Sequence, residues 1–235
     1  VYRFSAGKTR EGALLAAQLT VDFQHYFADK IKARQIEPTD DVLSDIVNAS
    51  VNGQHPLSLE ECLSVISQLL VAGNETTTNL LSNLLNHLAD HPDTWSELRD
   101  NPDKIDAAIE ETLRYDGPVH WVNRKATRDV EFHGQTVKAG EAVYGFMGSA
   151  NRDPRHYEDA DQFSLNRGRG DYHTFGHGIH FCIGAPLARL EARYAMEELL
   201  KRYRSISHTH DANNERTHST MLRGFHHLWL DLEPA

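Results

Sequence analysis

Phe175-Gly-His-Gly-Ile-His-Phe-Cys182-Ile-Gly184 is the stretch of this sequence best equipped for chemistry. One cysteine stands in a glycine-punctuated loop, and Ala185-Pro-Leu-Ala-Arg-Leu-Glu-Ala-Arg-Tyr-Ala-Met follows with a helical pattern. A cysteine just ahead of a helix N-terminus has orphan backbone N–H donors and the positive dipole end nearby. Both favour the thiolate, the form of the sulfur that ligates a metal. Gly176, Gly178 and Gly184 allow positive φ and carry no side chain, so something large and flat has room against this backbone. A buried structural cysteine in a tight turn is the plainer alternative. His173, His177, His180 and Cys182 are also closely spaced. A His/Cys metal-binding module, with zinc taking four such ligands, is therefore a further reading. That reading leaves Phe175, Gly176 and Gly178 without a role.

Two other clusters carry reactive types. Ala72-Gly-Asn-Glu75-Thr76-Thr sets an acid beside a hydroxyl, with Gly73 just before. Thr76, Thr77 and Thr78 are poor helix formers whose hydroxyls compete for backbone carbonyls, a weak spot of the kind that often marks function. Glu111-Thr-Leu-Arg114 places a carboxylate and a guanidinium at i,i+3, a spacing common on any helix.

The pattern Phe-Gly-x-Gly-x-His-x-Cys-x-Gly resembles the haem-binding loop of the cytochrome P-450 family. Three more segments match in the family's order. Ala72–Thr77 resembles the oxygen-activating stretch of its long central helix. Glu111–Arg114 resembles its Glu-x-x-Arg helix, and Phe163-Ser-Leu-Asn-Arg167 the segment whose arginine meets that pair. The resemblance implies haem b (iron protoporphyrin IX), with Cys182 as the proximal iron ligand in a loop built by Phe175, Gly176, Gly178, His180 and Gly184. His180 stands where many relatives have arginine. Ala72 and Gly73 would flank the opposite haem face, and Glu75 and Thr76 would relay protons to bound oxygen. His173 and Arg124 match positions of propionate partners. Glu111, Arg114 and Arg167 would be structural. Leu69, Leu70, Val119, His120, Val122 and Met221 would contact substrate. The implied activity is a haem-thiolate monooxygenase that activates O2 to oxidise a mainly hydrophobic small molecule. A haem-thiolate peroxygenase, isomerase or sensor is the alternative, and relatives of that kind often alter the acid–alcohol pair that is intact here. Electrons would come from a ferredoxin or flavin-type donor. Arg189, Arg193, Lys201 and Arg202 offer a basic patch on the Cys182 side to steer an acidic partner.

Composition narrows the setting. The formal net charge of −10 argues against nucleic-acid binding. Two cysteines, Cys62 and Cys182, make no disulfide framework, and a reducing cytoplasm follows. No apolar run approaches the length that spans a bilayer, and the start carries no signal peptide. This fits the soluble bacterial branch of the family resembled. The first residue is Val1, and the family's chains are much longer ahead of the oxygen-activating segment. The expectation is a mainly α fold with small β-sheets, residues 1–235 being the C-terminal portion of one cytochrome P-450 domain. Such a portion alone should not be a competent monooxygenase.

The elements that must position these groups follow from pattern. Helices are expected over about 9–35, 42–51, 58–90, 92–100, 102–115 and 185–203, β segments over about 119–145 and 205–233, and the haem loop over 173–184. The first helix rests on Leu14, Leu15, Leu19, Phe23, Tyr26, Phe27 and Ile31 at helical spacing. Ser58 and Glu61 read as a capping box, and the proline-free run after them permits a helix of about 45 Å. Gly73 in its middle costs about 1 kcal/mol against alanine. Part of this helix's apolar surface, including Leu80, Leu81, Leu84 and Leu85, is expected to lack cover in this chain. Asn151 to Cys182 shows little periodicity and reads as a long functional loop.

Overall fold

The computed structural model describes residues 9–50, 53, 56–168 and 170–235. The chain divides between Glu75 and Thr76 into two compact units.

The first unit holds helix α1 (Arg10–Ile36), helix α2 (Val42–Asn48) and the opening turns of helix α3 (Leu59–Asp90). Each start is capped by its own sequence. Thr9 Oγ1 accepts from Gly12 N and Asp41 Oδ1 from Ser44 N. Ser58 and Glu61 exchange the two bonds of a capping box. Ile31, Val47, Cys62 and Ile66 form the buried centre, with Phe23 and Phe27 packed on it. The expected apolar stripe of α1 is therefore buried only at its C-terminal end. Leu14, Leu15, Leu19 and Tyr26 are exposed, because α2 and the start of α3 reach only the later turns. Helix α2 ends at Asn48 rather than near position 51, which lies outside the described residues. Ala49 leaves the helix in extended conformation while its N–H bonds Ile46 O.

The second unit begins inside α3. Leu80, Leu84 and Leu88 recur every four residues and are buried. They pack with Trp95 and Leu98 of α4 (Pro92–Asp100), Ile105, Ile109 and Leu113 of α5 (Ile105–Tyr115), and Met196 and Leu200 of a later helix. The expectation of bare surface at Leu80 and Leu84 is thus wrong: α4 and α5 cover both, and Leu81 and Leu85 pack against the same core. The apolar residues that α3 does expose are Val65, Leu69, Leu70 and Val71, in the first unit. Pro102–Lys104 is a 3-10 turn ahead of α5, closed by Lys104 N on Asn101 O.

Among the described residues the four sheets are antiparallel pairs: β1 (Trp121–Lys125) with β4 (Ala142–Phe146), β2 (Val130–Phe132) with β3 (Gln135–Val137), β5 (Tyr203–His208) with β8 (Leu230–Pro234), and β6 (Glu215–Arg216) with β7 (Phe225–His227). His133 and Gly134, at φ 47° and 76°, make the two-residue turn that matches strand twist between β2 and β3. The short helix α6 (Met147–Ala150) and the long loop lead to helix α7 (Ala185–Arg202), where Tyr203 turns directly into β5.

Candidate functional site

The cysteine loop is built from its backbone outward. Gly176 and Gly178 take φ of 76° and 66°, a region that a side chain would strain. Gly184 sits at φ −82° and makes no use of the positive φ that a glycine allows. A Cβ there would lie 3.8 Å from Cys182 Sγ, an ordinary contact. Cys182 N donates to Phe175 O at 2.9 Å, and Ala185 N to Cys182 O at 3.2 Å, which folds the loop onto the start of α7. The thiol itself is free and exposed. Beside it Ile179 and Ile183 are 97% and 93% exposed, with Phe181 more than half exposed. His180 lies in a single 3-10 turn, Gly178–His180, and is exposed.

Two consecutive carboxylates on α5 hold this loop. Glu111 and Arg114 are 3% and 1% exposed and form a bidentate pair at 2.8 Å. The remaining Arg114 donors go to the carbonyls of Asn151, Ala160 and Gln162, so all five N–H groups are used. Glu111 also accepts from Ser164 N and from Arg167 Nε at 3.3 Å. Arg167 in turn donates to the carbonyls of Glu158, Asp159 and Gln162. This is the condition under which a buried ion pair is tolerated. From here the order passes to the loop through Asn151. Its Oδ1 accepts from His173 N at 2.7 Å, and its Nδ2 donates to Thr174 Oγ1 at 2.9 Å. Thr174 Oγ1 donates to Leu113 O. Glu110, the neighbouring acid, accepts from Tyr172 O–H at 2.7 Å and from Arg189 Nε. Arg189 also donates to Tyr172 Oη and lies 4.5 Å from the centre of the Phe175 ring. Burial, reinforced by Glu110, pushes the Tyr172 phenol above its usual range. Asn151, Thr174, Tyr172 and Glu110 escape sequence reasoning, and Arg189, read there as part of a docking patch, instead braces the loop. The one available signal is a second acid directly before Glu111.

The other proposed residues fall in several places. His173 and Arg124 are exposed, Arg124 donating to Asn123 O at 2.8 Å. Val119 bridges to Leu222, and His120 N donates to Met221 O at 2.8 Å. This joins two of the expected substrate segments, with Val122 half-buried in β1. Burial, aided by Arg223, holds the His120 imidazole below its ordinary pKa. Leu69, Leu70, Ala72, Gly73 and Glu75 belong to the first unit. Leu69, Leu70, Ala72 and Gly73 are exposed, and a Cβ at Gly73 would meet nothing within 4 Å. Partial burial raises the Glu75 carboxyl above the usual carboxylate range. Thr76, the next residue of α3, is half-buried.

The basic patch expected on α7 is neutralised. Arg189 pairs with Glu110, Arg193 with Asp106 and Glu197, and both Lys201 and Arg202 with Glu198. Among the described residues no three His, Cys, Asp or Glu side chains converge as metal ligands, which leaves the His/Cys module without a centre. No helix among them is long and apolar enough to cross a membrane.

Residues 15–225 match the family model described as cytochrome P450. The chain is 42% identical over 193 residues to the polyketide biosynthesis cytochrome P450 PksS of Bacillus subtilis, covering 82% of this chain and 47% of that protein. To the biotin biosynthesis cytochrome P450 of the same species it is 39% identical over 197 residues, 84% of this chain and 48% of that one. The solved structure of PksS superposes with a TM-score of 0.90 at 37% identity, covering 99% of this chain and 60% of that chain. CYP109E1 from Bacillus megaterium, in complex with testosterone, gives a TM-score of 0.86 at 36% identity, covering 94% and 60%. The chain spans about half the length of the curated relatives it matches.

Proposed function

The chain belongs to the cytochrome P450 family, and from that premise we propose that it carries the haem-thiolate centre of a monooxygenase acting on a mainly hydrophobic small molecule. Members of the family bind haem b through a thiolate-ligated iron. The residues present fit that group. One exposed thiol sits on a loop fastened at both ends, and the side chains around it are apolar and uncovered, as a flat apolar macrocycle requires. That observation carries the proposal. Bound there, thiolate-ligated iron supplies oxygen binding and O–O cleavage.

The chain's own residues then have separable tasks. Cys182 offers the anionic sulfur. Glu110 and Glu111, through Tyr172, Arg189 and Asn151, keep the loop from collapsing over it. His173 and Arg124 are exposed donors suited to propionates. Gly73 leaves space beside α3 where a side chain would intrude. Glu75, whose proton is retained to higher pH by burial, sits next to the Thr76 hydroxyl and suits a proton relay. This intact acid–alcohol pair favours oxygen activation over peroxygenase, isomerase or sensor roles. Leu69, Leu70, Val119, Val122 and Met221 give the substrate apolar contacts, with His120 neutral among them. Electrons come from a ferredoxin or flavin-type donor. Because the cations of α7 are already paired, its docking depends less on charge steering than the sequence suggested. Two free cysteines fit a reducing compartment, and we place the protein in the cytoplasm.

The test is the absorbance of the reduced, CO-bound protein. A Soret band near that of thiolate-ligated haem is expected, lost in Cys182→Ser and kept in Cys62→Ser. Cys62 is buried in the first unit, where burial raises its thiol pKa and keeps it inert. Identical spectra for the two variants would overturn the ligand assignment.

A further inference from the structure

Helix α3 carries a polar row that the haem chemistry does not use. Asn79, Asn83 and His87 recur every four residues beside the buried leucines, and both asparagines are buried. The row faces Asp116, the residue that ends α5, whose side chain is 4% exposed. His87 Nε2 lies 3.2 Å from Asp116 Oδ2, both Arg216 terminal nitrogens 3.4 Å from the same oxygen, and Arg223 Nε binds Oδ1. Asn83 completes the knot. Its Nδ2 donates to the carbonyls of Asp116 at 2.8 Å and Arg223 at 3.0 Å, and its Oδ1 accepts from Arg216 at 2.9 Å. Gly224 packs so closely on Asn79 that a Cβ there would overlap its side chain.

The knot lies between two segments. Asp116 is followed by Pro118–Val122, and Arg223 is preceded by Ser219–Leu222. Two backbone bonds join them, His120 N to Met221 O at 2.8 Å and Arg223 N to Pro118 O at 2.9 Å, around the single bridge of Val119 with Leu222. A pairing this short is marginal by itself. A slip of one residue would turn every side chain on it to the other face and pull Arg223 away from Asp116 by about 3.4 Å.

We propose that Asp116 is a positioning residue that locks Pro118–Val122 and Ser219–Gly224 in one register, and so decides which side chains the substrate meets. This rests on the reading of those segments as substrate-facing, and the test separates the two ideas. The first arm is amide hydrogen exchange on wild type, Asp116→Asn and Arg223→Gln. Exchange at His120 and Arg223 should rise together by about tenfold or more in each variant. The Ser164 amide, held by Glu111, should stay protected. The double variant should match Asp116→Asn, because loss of the carboxylate already removes its pairing with Arg223. Unchanged exchange at His120 and Arg223, or a rise at only one, would overturn the register lock whatever cofactor is bound. The second arm uses the haem-loaded protein and two probes. Imidazole reaches iron without leaning on the loops, whereas 4-phenylimidazole must fit its ring among them. Asp116→Asn should weaken 4-phenylimidazole about tenfold while imidazole affinity changes little. Equal changes for both probes would overturn the positioning role. Failure of the unaltered protein to bind either probe would sink the haem reading, and the exchange arm would still decide the lock.

Discussion

Glu111 and Asp116 stand close together at the end of one helix, both nearly fully buried and both paired with arginine, yet they organise different regions. Glu111 meets Arg114 one turn along its own helix, and the pair then collects backbone groups from residues 151 to 164. Its ordering reaches the cysteine loop through Asn151. The cation nearest Asp116 in sequence, Arg114, is committed to Glu111. Its partners arrive from α3 and from residues 216 and 223, and its ordering reaches the proposed substrate segments. One buried acid serves the side that would hold the cofactor, the other the side that would shape the pocket. A charge satisfied locally makes a rigid platform. A charge satisfied by distant elements makes a clasp between them, and a clasp can be loosened without losing the platform.

The largest effect that separates the two regions should come from Arg114→Ala. It leaves buried Glu111 with only Arg167 and the Ser164 amide, and it removes the Arg114 donors from the carbonyls of Asn151, Ala160 and Gln162. Breaking a buried pair in this way costs about 3–5 kcal/mol, enough to unfold a marginal domain. Urea denaturation followed by circular dichroism should show a chain that does not fold, or one with a much lower midpoint. A loss below about 1 kcal/mol would mean the platform is not the rigid half of the comparison.

Asp116→Asn should come next, and its cost should depend on pH. Burial alone would raise the Asp116 pKa, but His87, Arg223 and Arg216 outweigh it and bring the value to about 2. An ordinary aspartate in the unfolded chain titrates near 3.9, so the carboxylate contributes about 2 kcal/mol at neutral pH. The sign is that of a depressed acid. The contribution is complete above the unfolded pKa and fades as pH falls through the folded one. The stability gap between wild type and Asp116→Asn should therefore narrow progressively from about pH 5 to about pH 1. A gap that does not move with pH would show that shape, not charge, makes the clasp.

The smallest effect should come from Tyr172→Phe. It removes one O–H bond to Glu110 and one acceptor from Arg189, while the Arg189–Glu110 pair and the Phe175 contact persist. A loss of about 1 kcal/mol is expected in thermal unfolding. A loss as large as that of Arg114→Ala would place the rigid platform at Glu110 rather than Glu111.

The legible parts of this molecule are those whose cause is local. The capping box at Ser58–Glu61, the His133–Gly134 turn and the leucine row of α3 each arise from residues a few positions apart, and each stands in the structure. The cysteine loop was legible because its glycines and its cysteine are contiguous. Errors arose where the cause was remote. Leu80 and Leu84 looked uncovered because nothing nearby in sequence announces that α4 and α5 pack on them. Arg189 and Arg193 looked free because Glu110 and Asp106 come from a helix far upstream, whereas Glu198, which pairs with Lys201 and Arg202, lies on α7 itself at legible spacing. Gly184 allows positive φ by its type, yet it sits at φ −82°, and only the fold reveals that.

The sequence by itself determined the family, the Glu111–Arg114 pair and most of the helices, and it proposed the cysteine that would hold iron. These depend on residue type, periodicity and spacings of one or two turns, which the linear order preserves. Only the tertiary structure decided that Glu110 holds Tyr172 and Arg189 while Asn151 connects the Glu111–Arg114 pair to His173 and Thr174, and that Asp116 gathers partners from α3 and from residues 216 and 223. Those outcomes depend on which buried polar group finds which partner. Burial makes an unmatched charge costly, so the partner is chosen by whatever the fold brings within about 3 Å, and that choice is not written in the neighbourhood of either residue.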